Sequence, residues 1–141
     1  MSVEAENESM AYPVTVDWQE DGDGVVVGSP EELSRLLDRI AAETEPSIPI
    51  LVMVTNNGGS LAIGVGAPAS TLNHTPTSGD PPYMISVGDF FKEEGFIDFW
   101  YLGHHTQFCA RNAIPIEQAK AAVLQYAETG TLPDEVAWEE V

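Results

Sequence analysis

The chain has 141 residues, 43% of them hydrophobic and 20% charged, a size and balance that suit one globular domain and leave no room for a second independent core. Five Lys and Arg against 23 Asp and Glu give a net charge of −18, which repels phosphate backbones and anionic membranes and so excludes direct nucleic-acid binding. The lone Cys109 excludes an intrachain disulfide, and no apolar run approaches the roughly 20 residues that span a bilayer.

Residues 1–11 carry Glu4, Glu6 and Glu8 without apolar periodicity and predict a disordered acidic lead-in, leaving residues 12–141 as a single α+β domain. No apolar core follows Met1, so no signal peptide is expected and the expected location is the cytoplasm. Pro13 to Trp18 and Val25 to Val27 flank the turn-forming run Asp21-Gly22-Asp23-Gly24 and predict an opening hairpin. Ser29-Pro30-Glu31-Glu32 is a helix start: the Ser hydroxyl can accept from the N3 amide, Pro suits N1, and Glu32 can complete a capping box. Leu33, Leu36, Leu37, Ile40 and Ala41 then line one face of a helix reaching about Glu43 or Thr44, with Pro46 and Pro49 bracketing its exit.

Ile50 to Val54 is a continuous apolar run that predicts a central strand, turned through Asn56-Asn57-Gly58-Gly59 onto a second strand at Ser60 to Val65. A further strand is expected over Ser70 to His74, an exposed loop over Thr75 to Pro82, and a short strand over Tyr83 to Val87. The aromatic segments Gly95 to Tyr101 and Thr106 to Arg111 predict a hairpin turning at Gly103-His104-His105. Ile116, Ala119, Val123 and Tyr126 recur at helical spacing, with Pro115 able to occupy N1 and Gly130 at the C-terminal cap. The fold class is therefore α+β: an antiparallel sheet of about six to eight strands with two helices packed on it.

Phosphate-loop, nucleophile-elbow and zincin motifs are missing, and Gly64-Val65-Gly66 holds only half of a dinucleotide fingerprint, so no cofactor and no catalytic residues are assigned. His104, His105 and Cys109 form the one cluster that suggests metal or thiol chemistry, and a hairpin can bring His105 near Cys109. Adjacent strand residues point to opposite faces, so at most one of the two His could share a site with that Cys. Turn-tip histidines and a buried apolar Cys account for the cluster without a metal. A small enzyme using Asp98, His104 or His105 and Cys109 stands as a rival reading.

Asp89, Glu93, Glu94 and Asp98 alternate with Phe90, Phe91, Phe96 and Phe99 and lead into Trp100-Tyr101. One account is a solvated loop over core aromatics. The other is an acidic, aromatic-anchored patch for a basic protein, since aromatics supply contact area and carboxylates steer encounter. An acidic adaptor for some other basic partner is equally compatible with the composition.

Gly28-Ser29-Pro30-Glu31-Glu32-Leu33, Leu61 to Gly66, Gly79-Asp80-Pro81-Pro82-Tyr83, Ile97 to Arg111 and the ending Trp138-Glu139-Glu140 resemble, in order and spacing, the first-numbered immunity-protein family of bacterial polymorphic toxin systems. The likeness runs from about Val14 to Val141. It implies a non-enzymatic antitoxin, binding one to one a cognate toxin, basic and of the deaminase superfamily, and covering its active site or substrate path. The family supplies no residue list to transfer, so the candidate toxin-binding residues rest on position and chemistry: Asp80 and Tyr83 on the proline-restrained loop, and Asp89, Glu93, Glu94, Asp98 and Trp100 on the acidic aromatic segment. Trp18 and Trp138 are expected in the core or covering an edge. The charge predicts a monomer.

Overall fold

A computed structural model describes residues 12–18, 24–45, 47–91 and 94–141, so the acidic lead-in, the turn at 21–23, Pro46 and Glu93 lie outside the described residues. In chain order the elements are β1 (Val14–Asp17), β2 (Val25–Val27), α1 (Pro30–Glu43), β3 (Ile50–Asn56), β4 (Gly59–Val65), β5 (Ala69–Ser70) and β6 (Leu72–Thr75). There follow β7 (Met84–Val87), β8 (Phe96–Tyr101), β9 (His104–Cys109), a 3-10 turn (Ala110–Asn112), β10 (Ile114–Pro115), α2 (Ile116–Thr129) and β11 (Ala137–Glu140). Among the described residues the main sheet has nine strands, ordered β11-β7-β6-β4-β3-β1-β2 with the β8–β9 hairpin attached to β3, and β5 pairs separately with β10. Among the described residues the architecture is α+β with two helices, on a sheet larger than the six to eight strands expected.

Ser29 caps the start of α1 and Gly130 the end of α2, as expected. Ser29 Oγ accepts from the Glu32 amide at 3.2 Å, and Leu33, Leu36, Leu37 and Ile40 are buried. Gly130 closes α2 in the left-handed region at φ 78°, its amide bonding the Tyr126 carbonyl. Pro115 caps α2 rather than occupying N1, because it still pairs with Ala69 in the short β5–β10 ladder, and the Ile116 amide is satisfied by the Pro68 carbonyl.

One sheet face carries Val52, Val54, Leu61, Ile63, Val65 and Leu72 into a core shared with Leu33, Leu37, Ala119, Val123 and Tyr126 of the two helices. By strand alternation Leu51, Met53, Ala62 and Gly64 point the other way. Asn56 supports the β3–β4 turn by accepting from the Gly58 amide and donating to the Tyr126 carbonyl. A side chain at Gly58 would run into the backbone of Gly130, which is why that turn needs glycine. The single strand expected over Ser70 to His74 is broken at Thr71, whose carbonyl accepts from Gly64, so Ala69–Ser70 joins β10 while Leu72–Thr75 stays with β4.

β3 is shared along one edge: β1 pairs with residues 53–55, while β8 meets its beginning through the parallel bridge Ile50↔Trp100. The Trp100 amide donates to the Pro49 carbonyl at 2.9 Å. Phe99, fully buried, lies against Gly64 on the sheet face turned away from the helices. The sheet is thereby covered on both faces at its centre, as the unbroken apolar run of β3 demands.

Candidate protein-binding site

The β8–β9 hairpin turns through Leu102-Gly103, both at positive φ (50° and 84°), the geometry that matches strand twist in a two-residue turn. His104 and His105 are therefore strand residues, paired with Tyr101 and Trp100, and not the turn tip expected. Pleat alternation divides the hairpin. Ile97, Phe99, Thr106 and Phe108 face the sheet, with the Phe99 and Phe108 rings meeting edge to face. Asp98, Trp100, His105, Gln107, Phe96 and Cys109 form the outward face.

On that face Asp98 Oδ1 accepts from His105 Nε2 at 2.8 Å and from Gln107 Nε2 at 3.2 Å. The side chains of His105 and Asp98 remain 51% and 44% exposed, so the pair sits in solvent rather than in a catalytic cleft. The two hydrogen bonds, His105 first and Gln107 second, hold the Asp98 carboxyl below the usual carboxylate range. Trp100 is half-buried, its ring 5.1 Å from that of His105. Phe96 is 67% exposed, and exposed Phe90 and Phe91 stack edge to face just before the hairpin.

Cys109 is exposed, not the buried apolar residue expected, because β9 lies at the margin of the sheet and Cys109 alternates onto its outward face. At the roughly 3.3 Å rise of a strand, His105 and Cys109 stand about 13 Å apart, too far to share a metal or act on one atom. Among the described residues no group of three or more His, Cys, Asp or Glu could hold a metal. The Asp98–His105 contact survives from the enzyme reading, and its thiol partner does not join it.

The candidate binding residues fall at opposite ends of the sheet. The Asp80 and Tyr83 loop sits by the β3–β4 turn, tied there by Thr77 Oγ1 donating to the Asn57 carbonyl. It is internally braced: Tyr83 OH donates to the Gly79 carbonyl at 2.6 Å and the Asp80 amide to Ser78 Oγ at 3.2 Å, leaving the Asp80 carboxylate exposed. Asp89 and Glu94, both exposed, lie at the other end with Asp98 and Trp100, where Gly88 bonds the Arg111 carbonyl and Gly95 accepts from Ala110. Between these ends runs the length of β3 and β4, about 23 Å for seven residues. Trp138 half-covers the core, its indole N–H held by the Pro133 carbonyl, and Trp18 packs at the core margin.

Sequence reasoning set His105 beside Asp98 only as an alternative to His104 in the rival enzyme reading, and it missed Gln107 as the second group that orients Asp98. Their spacing across the turn would reveal the pairing only once the turn residues were assigned to Leu102-Gly103. It also missed a cleft of about 320 Å³ at the hairpin base, lined by Glu94, Gly95, Phe96, Cys109, Ala110 and Arg111.

No described helix is long and apolar enough to cross a membrane. Compared with protein families, residues 21–140 match the family described as Immunity protein Imm1. No curated protein matches the chain.

Proposed function

The chain belongs to the Imm1 family of immunity proteins, and from that membership we propose that it neutralises its cognate toxin by stoichiometric binding in the cytoplasm of the producing cell, without turnover or cofactor. The toxin is of the deaminase superfamily, and the bound chain covers its active site or nucleic-acid groove. The family match over residues 21–140 carries the reading. Its physical support is charge: an enzyme acting on a nucleobase needs a cationic path for the phosphate backbone, and a chain of net charge −18 competes for it. The end of the sheet bearing Asp89, Glu94, Asp98 and Trp100 is the docking surface, since it joins exposed carboxylates to aromatic area. Glu93 is kept as a candidate contact on its place in the sequence alone, and the braced loop of Asp80 and Tyr83 is a second contact at the far end.

The test is co-expression of the toxin domain encoded beside this gene with and without this chain, followed by co-purification at low and high salt. Growth rescue with a one-to-one complex is the expected result. Absence of both rescue and complex removes the antitoxin reading and leaves the acidic adaptor for another basic protein.

A further inference from the structure

Among the described residues, backbone register leaves the outer side of β9 as a row of hydrogen-bonding groups that no strand pairs with. In a hairpin closed by two residues, the pairs Tyr101↔His104, Phe99↔Thr106 and Ile97↔Phe108 exchange the inter-strand bonds, and the alternate pairs do not. Two contacts outside the ladder agree: the Ala110 amide turns inward to the Gly95 carbonyl, and the Trp100 amide turns away from β9 to Pro49. The N–H and C=O groups of His105, Gln107 and Cys109 therefore point away from β8, where β9 has no neighbouring strand among the described residues.

Natural proteins blunt such edges with charge, proline or shortness. The other margins of the sheet are guarded in this way: β2 has three residues, and β11 has four, including Glu139 and Glu140. β9 has six residues, His-His-Thr-Gln-Phe-Cys, with no proline, Lys, Arg, Asp or Glu. Beside its end lies the cleft bordered by Phe96 and Cys109.

Resting on the immunity reading, we propose that the cognate toxin adds an extended, net-basic strand to the free edge of β9, with one of its side chains in the cleft at the hairpin base. Main-chain bonds to His105, Gln107 and Cys109 supply the attachment, and Glu94 and Asp98 beside them select a basic strand. A second copy of this chain is the poorer occupant, because each copy brings a net charge of −18 to the contact.

Cys109 allows a clean test. Its φ of −71° already suits proline, so Cys109→Pro deletes one outward amide and no ladder bond, whereas Cys109→Ala keeps the amide and removes only the thiol. With the neighbouring toxin domain as probe, Cys109→Pro should weaken binding by about tenfold or more, and clearly further than Cys109→Ala, which trims the cleft wall but keeps the outward amide. In parallel, amide exchange on the wild-type chain should show Thr106, Phe108 and Ala110 protected with or without toxin. His105, Gln107 and Cys109 should become protected only in the complex. A complex in which these three amides exchange as in the free chain overturns the proposal, even if Cys109→Pro fails to fold. Protection that appears without toxin and rises with protein concentration overturns it in favour of a second copy. Failure to form any complex overturns the immunity reading, and this inference with it.

Discussion

Asp98 shows how one carboxylate is positioned on an exposed surface. His105 and Gln107 both donate to its Oδ1, so the ionised form is favoured and its titration lies below the ordinary range. A carboxyl whose folded pKa is depressed contributes stability above its unfolded value of about 3.9, and that contribution is lost as pH falls through the lower folded midpoint. An NMR titration following the Asp98 carboxyl carbon should place its midpoint below that of an unstructured Asp. His105→Ala should move the midpoint up further than Gln107→Ala, because the His105 hydrogen bond is the larger cause. Identical midpoints in all three proteins would mean that the pairing does not persist in solution. The residue types of this site were legible in the sequence, since Asp98 and Trp100 stand out beside the phenylalanines. Gln107 was not, and His105 could not be separated from His104, because cross-strand neighbours depend on a register that a one-residue slip reverses.

The same dependence on register separates legible elements from illegible ones. Both helices announced themselves through capping chemistry and apolar spacing, signals contained within a few consecutive residues. β5 and β10 have two residues each, and their pairing depends on chain brought from 44 and 46 positions away, as Ser70↔Ile114 and Ala69↔Pro115, so no local pattern encodes them. The seating of the hairpin was equally hidden: it depends on Gly64, which reads in sequence as part of an incomplete phosphate-binding motif. In the structure a Cβ at Gly64 would lie 2.5 Å from two atoms of the Phe99 ring. Gly64→Ala should gain about 0.4–1 kcal/mol from the stiffer unfolded chain and lose about 1–3 kcal/mol to overpacking, so the steric cost dominates. Urea denaturation should show a lower midpoint with an unchanged slope, and a second change, Phe99→Leu, should recover part of the loss. A midpoint equal to that of the wild type would show that the hairpin does not rest on Gly64.

Across the whole molecule, a net charge of −18 creates a field that draws in a basic partner from any direction, so charge alone does not say which end of the sheet docks. The two ends can be separated because they lie about 23 Å apart, beyond the Debye length of about 8 Å at physiological salt. Asp80→Lys and Glu94→Lys change the net charge by the same amount, yet Asp80 belongs to the loop by the β3–β4 turn and Glu94 to the hairpin base. If the toxin docks at the hairpin end, Glu94→Lys should slow association by about threefold to tenfold and flatten its decline with salt, while Asp80→Lys should have a smaller effect on both. Stopped-flow association with the toxin domain over a series of salt concentrations measures the difference directly. Equal slowing by both variants would mean that long-range attraction treats the chain as one polyanion and that neither end is singled out during encounter. Slowing by Asp80→Lys alone would move the docking surface to the β3–β4 end, where the bond between Tyr83 and Gly79 already holds the loop in shape. Because encounter depends on the field and attachment on the contacts formed afterwards, Cys109→Pro should act mainly on dissociation and Glu94→Lys mainly on association, so the two variants report different steps of one binding reaction.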